Sequence, residues 1–220
     1  MGTVFIEPQV LSQIYADAQQ RFACVDDLAH GWEHVNRVYK LALHIAQQEG
    51  ADSFIVGIAA LLHDLGRTVD SDTQTHHADL SVTLADEVLK TYEIPEPKQQ
   101  AILHAILAHS FSRGVAPETL EARVLRDADR LDGLGAIGIM RWAITGAVWR
   151  LPQTQPYDPD DPFTERHMPN DRLYMLDHFY SKLLKLSETM MTETGHSLAQ
   201  RRTAFMSTYL YEFRRELELA

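Results

Sequence analysis

From Glu33 to Gln48 apolar residues return every three or four positions (Val35, Val38, Leu41, Ala42, Ile45, Ala46), the period of an amphipathic helix. Gly50 supplies a stop. Ser53 is placed to cap a second helix through Phe54, Ile55, Ile58, Leu61, Leu62 and Leu65. That stretch is apolar on most sides, so it belongs in the middle of a domain. A third helix is predicted over 78–90, on Leu80, Val82, Leu84, Ala85, Val88 and Leu89, and Pro95 and Pro97 break it. A fourth runs from about Lys98 to His109 with Ile102, Ala105 and Ile106 on one face, and a fifth covers 118–134. Gly133, Gly135 and Gly138 then predict a close-packed continuation toward Trp142 rather than a regular helix interior. Residues 150–172 hold five of the nine prolines and a group of acids, which reads as a long irregular segment, either a lid or an excursion without fixed structure. Helical period resumes from Leu173 to about Thr192, and a last helix covers roughly Ser197 to Leu217. Strand-like alternation is missing, so the fold class is all-α. The 220 residues suit one domain with additional C-terminal helices.

Several polar residues interrupt these apolar faces. His34 lies on the stripe of Val38, Leu41 and Ile45 and therefore points inward. His63 and Asp64 end the central apolar helix, where the macrodipole is negative, so a carboxylate there needs a compensating positive charge. His109 shares the inward face of Ile102, Ala105 and Ile106. LRDADRLDGLG carries Asp127, Asp129 and Asp132. Imidazoles and carboxylates converging from separate helices are donors for a divalent cation; with no thiolate among them the set suits Mn, Fe, Ni, Zn or Mg. Asp127 and Asp129 differ by about 200° around a helix, so both cannot face one ion. Periodicity with Val124 and Leu131 favours Asp127.

Composition narrows the chemistry. The chain is 45% hydrophobic and 23% charged, as folded proteins are. A net charge of −11 repels nucleic-acid backbones, so nonspecific DNA or RNA binding is not expected, and a phosphorylated substrate would need a local cation. One cysteine, Cys24, excludes a disulfide framework and a thiolate zinc site. The N-terminus lacks the pattern of a secretory signal and no apolar run is long enough to span a bilayer, so a cytoplasmic protein without membrane contact is expected. GXXXXGK[ST] is absent, which leaves phosphates to be held by metal and side chains.

The set HGWEHVNRVYKLAL, AALLHDLGR and RDADRLDGLGAIGIMR resembles the HD superfamily of metal-dependent phosphohydrolases, in particular its compact bacterial branch of small nucleotide phosphohydrolases. The resemblance is strong over about 26–142 and reaches the C-terminal helices through FYSKLLKL and MMTETGHSLAQRR. It implies an all-α HD-domain bundle in which His34, His63, Asp64 and Asp129 hold a divalent metal. His34 is preferred to His30 because HVNRV fits the motif; His30 is then a cap or a neighbour of the ligands. Asp129 precedes Arg130-Leu131, as the motif requires, against the mild preference of periodicity for Asp127. His77 and His109 match places where some members hold a second metal, so one site or two are implied; His77 is taken as a phosphate contact. The implied reaction is attack of metal-activated water on phosphorus, with a nucleotide as substrate, including a nucleoside triphosphate cut to monophosphate and pyrophosphate. His109 or Asp132 would orient the water or protonate the leaving group, and Arg67, Lys182 and Lys185 would meet phosphate. Trp142, Trp149, Tyr157 and Phe163 are candidates to stack on a base, with core packing the safer reading for Trp142. The rivals are a monophosphate nucleotidase, a cyclic phosphodiesterase, and a non-catalytic nucleotide sensor or interaction module on the same metal-binding fold.

Overall fold

The computed structural model describes residues 7–69 and 76–219. They form helices α1 (Glu7–Phe22), α2 (Trp32–Glu49), α3 (Ser53–Leu62), α4 (His77–Thr91), α5 (Glu96–His109), α6 (Leu120–Asp132), α7 (Gly135–Trp149), α8 (Asp177–Ser181) and α9 (Glu193–Leu219). Short 3-10 turns lie at Leu65–Thr68, Phe111–Arg113 and Leu183–Thr189. Among the described residues no strand forms; one isolated bridge joins Gln155 and Tyr174. No described helix is long and apolar enough to cross a membrane. The chain divides into two compact units, 1–129 and 130–220.

In the first unit α3 is the centre. Phe54 and every residue from Val56 to Leu62 are buried, as an all-round apolar helix must be. The helices α1, α2 and α5 pack on it. The α1 helix, which the periodicity reading passed over, buries Ile14, Ala18 and Phe22 at four-residue spacing. Gly50 ends α2 in the left-handed conformation (φ 76°), donating its N–H to Ala46 O.

The cap of α3 is not Ser53 but Asp52, whose Oδ1 accepts from Phe54 N at 2.9 Å and Ile55 N at 3.2 Å. A carboxylate is the stronger acceptor at a positive helix end. The same residue ties three further elements. Lys98 of α5 reaches its Oδ2 at 2.8 Å and Glu7 of α1 at 2.9 Å, and Glu121 of α6 accepts its backbone N–H at 3.1 Å.

The expected run of α3 to Leu65 is also corrected. The helix stops at Leu62, and the chain re-forms as the 3-10 turn Leu65–Thr68, with Arg67 N donating to Asp64 O. The cause is at Gly66. A Cβ there would lie 2.4 Å from His77 O and 3.0 Å from Ser81 N, so only glycine lets this turn rest on α4. Gly66 N–H donates to Ser81 Oγ at 2.9 Å and fixes the contact.

Pro97 does not break a helix; it sits in the first turn of α5, where its missing N–H costs nothing. In the second unit, the segment after Gly133 is a regular helix, contrary to expectation. Its glycines serve the turn that precedes it: Gly135 has φ 72°, and a Cβ on Gly138 would strike the backbone of Gly133. The helix expected over 173–192 is interrupted into α8 and the 3-10 turn Leu183–Thr189. Residues 150–176 are irregular, four residues beyond the expected 150–172, yet have a definite hydrogen-bonded structure: Gln155 N donates to Leu173 O and Met175 N to Gln155 O. Trp142 Nε1–H is spent on Met175 O at 2.8 Å, which gives that ring a packing role within its unit.

Two substitutions test this account in urea unfolding. Asp52→Ala is expected to cost about 1–2 kcal/mol, since it removes two capping acceptors and a partner of Lys98. Gly66→Ala is expected to cost about 1–3 kcal/mol through overpacking against α4.

Candidate metal centre

Four elements of the first unit deliver donors to one place. His34 projects from the buried stripe of α2 with Val35 and Val38. His63 and Asp64 stand where α3 gives way to the 3-10 turn. His109 is the last residue of α5, and Asp129 lies in α6. His34, His63, Asp64 and His109 are almost wholly buried, while the Asp129 side chain is 30% exposed.

The distances define two overlapping groups: His34, His63 and Asp129, and His63, Asp64 and His109, each with donor atoms within 4.8 Å of one another. His34 Nε2 is 3.3 Å from His63 Nε2 and 3.4 Å from Asp129 Oδ1. Asp64 Oδ2 is 3.8 Å from both His34 Nε2 and His63 Nε2. Asp64 Oδ1 is 3.9 Å from His109 Nε2 and from His77 Nε2.

Two rings have their orientation set from behind. His63 Nδ1 is 2.8 Å from Ala60 O, and His109 Nδ1 bonds Ile106 O. A carbonyl only accepts, so each Nδ1 carries a proton and each Nε2 is turned to the cluster. Burial, with the neighbouring His63, lowers the pKa of His109. Burial and the Arg67 charge likewise push His77 down to about 4.

Asp64 shows the opposite balance. Burial alone would raise its pKa, but His63, Arg67, His109 and His34 together hold it far below the usual carboxylate range. Arg67 Nε sits 2.8 Å from Oδ2, an ion pair rather than an aligned hydrogen bond. Oδ1 is buried with no hydrogen-bond partner. A buried carboxylate oxygen left so is costly.

The donors fit a divalent ion. Ligands about 2.1 Å from a common cation stand roughly 3–4 Å apart, the range seen between these atoms. A cation would occupy the lone pairs that now face each other at His34 and His63, and would satisfy Asp64 Oδ1. Backbone carbonyls behind metal-facing imidazoles are the usual support for such rings.

The other sequence-derived residues fall as follows. Asp127 is fully buried and joins neither group. His77 and Arg67 stand beside Asp64 with side chains 29% and 24% exposed. Asp132 lies in the second unit, where its carboxylate pairs with Arg141 at 2.6 Å. Lys182 and Lys185 are exposed residues of that unit, and Lys182 adds to the positive field on Asp171.

His30 does not cap a helix. Asp27 does the local capping, accepting from Ala29 N and His30 N, and its Oδ2 holds His30 Nδ1 at 2.8 Å. The His30 ring meets that of His34 edge-on, with centroids 5.8 Å apart. Sequence reasoning passed over Asp27, although an Asp two residues before a buried Ala and three before a His is the spacing of an Asx turn. His76 accepts Ala78 N–H as the cap of α4 and bonds Ser112 Oγ at 2.8 Å.

Residues 31–134 match the HD domain family. The chain is 33% identical to YpgQ of Bacillus subtilis over 193 residues, covering 86% of this chain and 84% of that protein. The crystal structure of B. subtilis YpgQ in complex with ADP superposes with a TM-score of 0.73 at 30% identity, covering 96% of each chain. An HD-superfamily hydrolase from Bacillus thuringiensis gives 0.74 at 29% identity, covering 98% of this chain and 100% of that one.

Metal removal tests the centre. Chelation is expected to lower the thermal midpoint and added Mn to restore it, because an ion bound only by the native state adds about 2.7 kcal/mol at a hundred times its Kd. Asp64→Asn and Asp129→Asn should abolish the response, whereas Asp127→Asn should keep it.

Proposed function

The chain belongs to the HD domain family, and from that membership we propose that it is a metal-dependent phosphohydrolase acting on nucleotides. The observation that carries the proposal is Asp64: a deeply buried, ionised carboxylate ringed by imidazoles, with one oxygen unpartnered. An isolated core aspartate would be neutral or fully hydrogen-bonded. Nothing in a purely structural role calls for this arrangement.

When bound, a divalent cation supplies an acidified water and a Lewis acid for a phosphoryl oxygen. The chain supplies the rest. His34, His63, Asp64 and Asp129 are assigned as its holders. His109, neutral and fixed by Ile106 O, is assigned to orient the water or to hold a further ion; the tie of Asp132 to Arg141 makes it the poorer choice. Arg67, partly exposed beside Asp64, is assigned as the local cation that meets a phosphate of the substrate against a chain of net charge −11. His77, a neutral partly exposed imidazole, is assigned as a second phosphate contact.

The substrate class is drawn from chemistry and relatedness. YpgQ takes ADP into its crystal structure, so a nucleotide with a phosphate chain is the reading carried to this chain. Within it we assign cleavage of a nucleoside triphosphate to monophosphate and pyrophosphate.

A panel of nucleoside tri-, di- and monophosphates with Mn tests this directly. Pyrophosphate and monophosphate are the expected products from triphosphates, with Asp64→Ala lowering the rate more than about 100-fold. Orthophosphate from monophosphates would replace the proposal with a nucleotidase. Nucleotide binding by metal-loaded protein with no turnover would replace it with a sensor.

A further inference from the structure

In the second unit the irregular segment before α8 is organised by one imidazole. His167 Nδ1 lies 2.9 Å from Asp161 Oδ2, and its Nε2 lies 2.9 Å from Asp177 Oδ2. A carboxylate only accepts, and a neutral imidazole has a single N–H. With both carboxylates ionised, the two bonds form together only when the ring is doubly protonated. The two acids are committed elsewhere as well. Asp161 accepts the backbone N–H groups of Glu165, Arg166 and His167, and Asp177 accepts that of Asn170. Asp177 is fully buried, its Oδ1 has no hydrogen-bond partner, and its Oδ2 faces His167 Nε2.

We propose that His167, as an imidazolium bridging Asp161 and Asp177, pins the segment 158–177 shut, and that loss of its proton as pH rises releases that segment.

The groups facing the ring are mainly acidic. Asp158 Oδ2 is 3.9 Å from Nδ1, and the ring of Tyr174 lies 5.7 Å away. Asp160 acts on Tyr174, and Tyr180 of α8 feels Asp177. The Arg166 guanidinium stands 4.0 Å from Asp161. Arg214 of α9 is engaged with Glu165. The hydrogen bonds to Asp177 and then Asp161 raise the His167 pKa above its ordinary 6.5. A raised folded-state value means the stabilisation is complete below that ordinary value and disappears as pH climbs through the folded one. Release therefore lies above the ordinary imidazole value of 6.5. A second imidazole ties the same segment to α8: His178 Nδ1 is 2.8 Å from Asp171 Oδ2, which also accepts from Ser181 Oγ.

Limited trypsin digestion of the full chain reads the segment out, because Arg166 and Arg172 are its cleavage points. Rates at pH 6 and pH 9 are normalised to a denatured reference cut by the same trypsin. Cleavage of the native chain is expected to be about tenfold faster at pH 9, tracking the open population. His167→Gln should be cut rapidly at both pH values with unchanged far-ultraviolet helix signal. The imidazole carbon-bound proton of His167, followed by NMR in the native chain, should titrate above pH 6.5, and Asp177→Asn should lower that midpoint. Equal normalised rates at the two pH values, or a His167 midpoint at or below 6.5, would overturn the proposal. The NMR titration needs no variant, so it decides the matter even if His167→Gln fails to fold.

Discussion

The structure of the first unit turns on a single constraint: one carboxylate, Asp64, is ionised in the interior. Everything near it answers that cost. Three imidazoles arrive from α2, the end of α3 and the end of α5. A guanidinium from the same 3-10 turn meets Oδ2. The turn exists because Gly66 can lie against α4, and that contact also brings the start of α4, with His77, beside the carboxylate. Asp52 secures the other end of α3, so the apolar rod that carries His63 and Asp64 is anchored at both termini.

Much of this was legible in the amino-acid order. An apolar run with no polar face can only be interior, and His34 shares a stripe with residues that must be buried. Periodicity therefore places His34, His63 and His109 inside without any structure. The choice between Asp127 and Asp129 was not legible from periodicity, because both positions of α6 are more enclosed than a simple amphipathic face allows: Asp127 is fully buried away from the cluster, and Asp129 stands beside His34. The motif points to Asp129, and hydropathy points to Asp127.

What escaped the sequence escaped for local reasons. Ser53 and Asp52 are both good caps, and only the approach of Lys98 and Glu121 shows which one is used. Glycine at 133, 135 and 138 looked like an interruption because propensity counts glycine against helices, whereas here it relieves one crowded turn ahead of a regular helix. The Pro-rich segment gave no periodic signal at all. Its order comes from hydrogen bonds to Asp161 and Asp177, partners several residues apart along an aperiodic chain.

The main-chain anchors behind His63 and His109 carry a consequence of their own. Each ring is aimed by the carbonyl three residues earlier in its own helix, Ala60 and Ile106. Aim is thus a property of the final coil of α3 and of α5 rather than of distant packing. Loosening either coil would swing its lone pair away and dismantle the donor set while leaving every donor residue in place. The geometry of the cluster is therefore as sensitive to the main chain at Ala60 and Ile106 as to the histidines themselves.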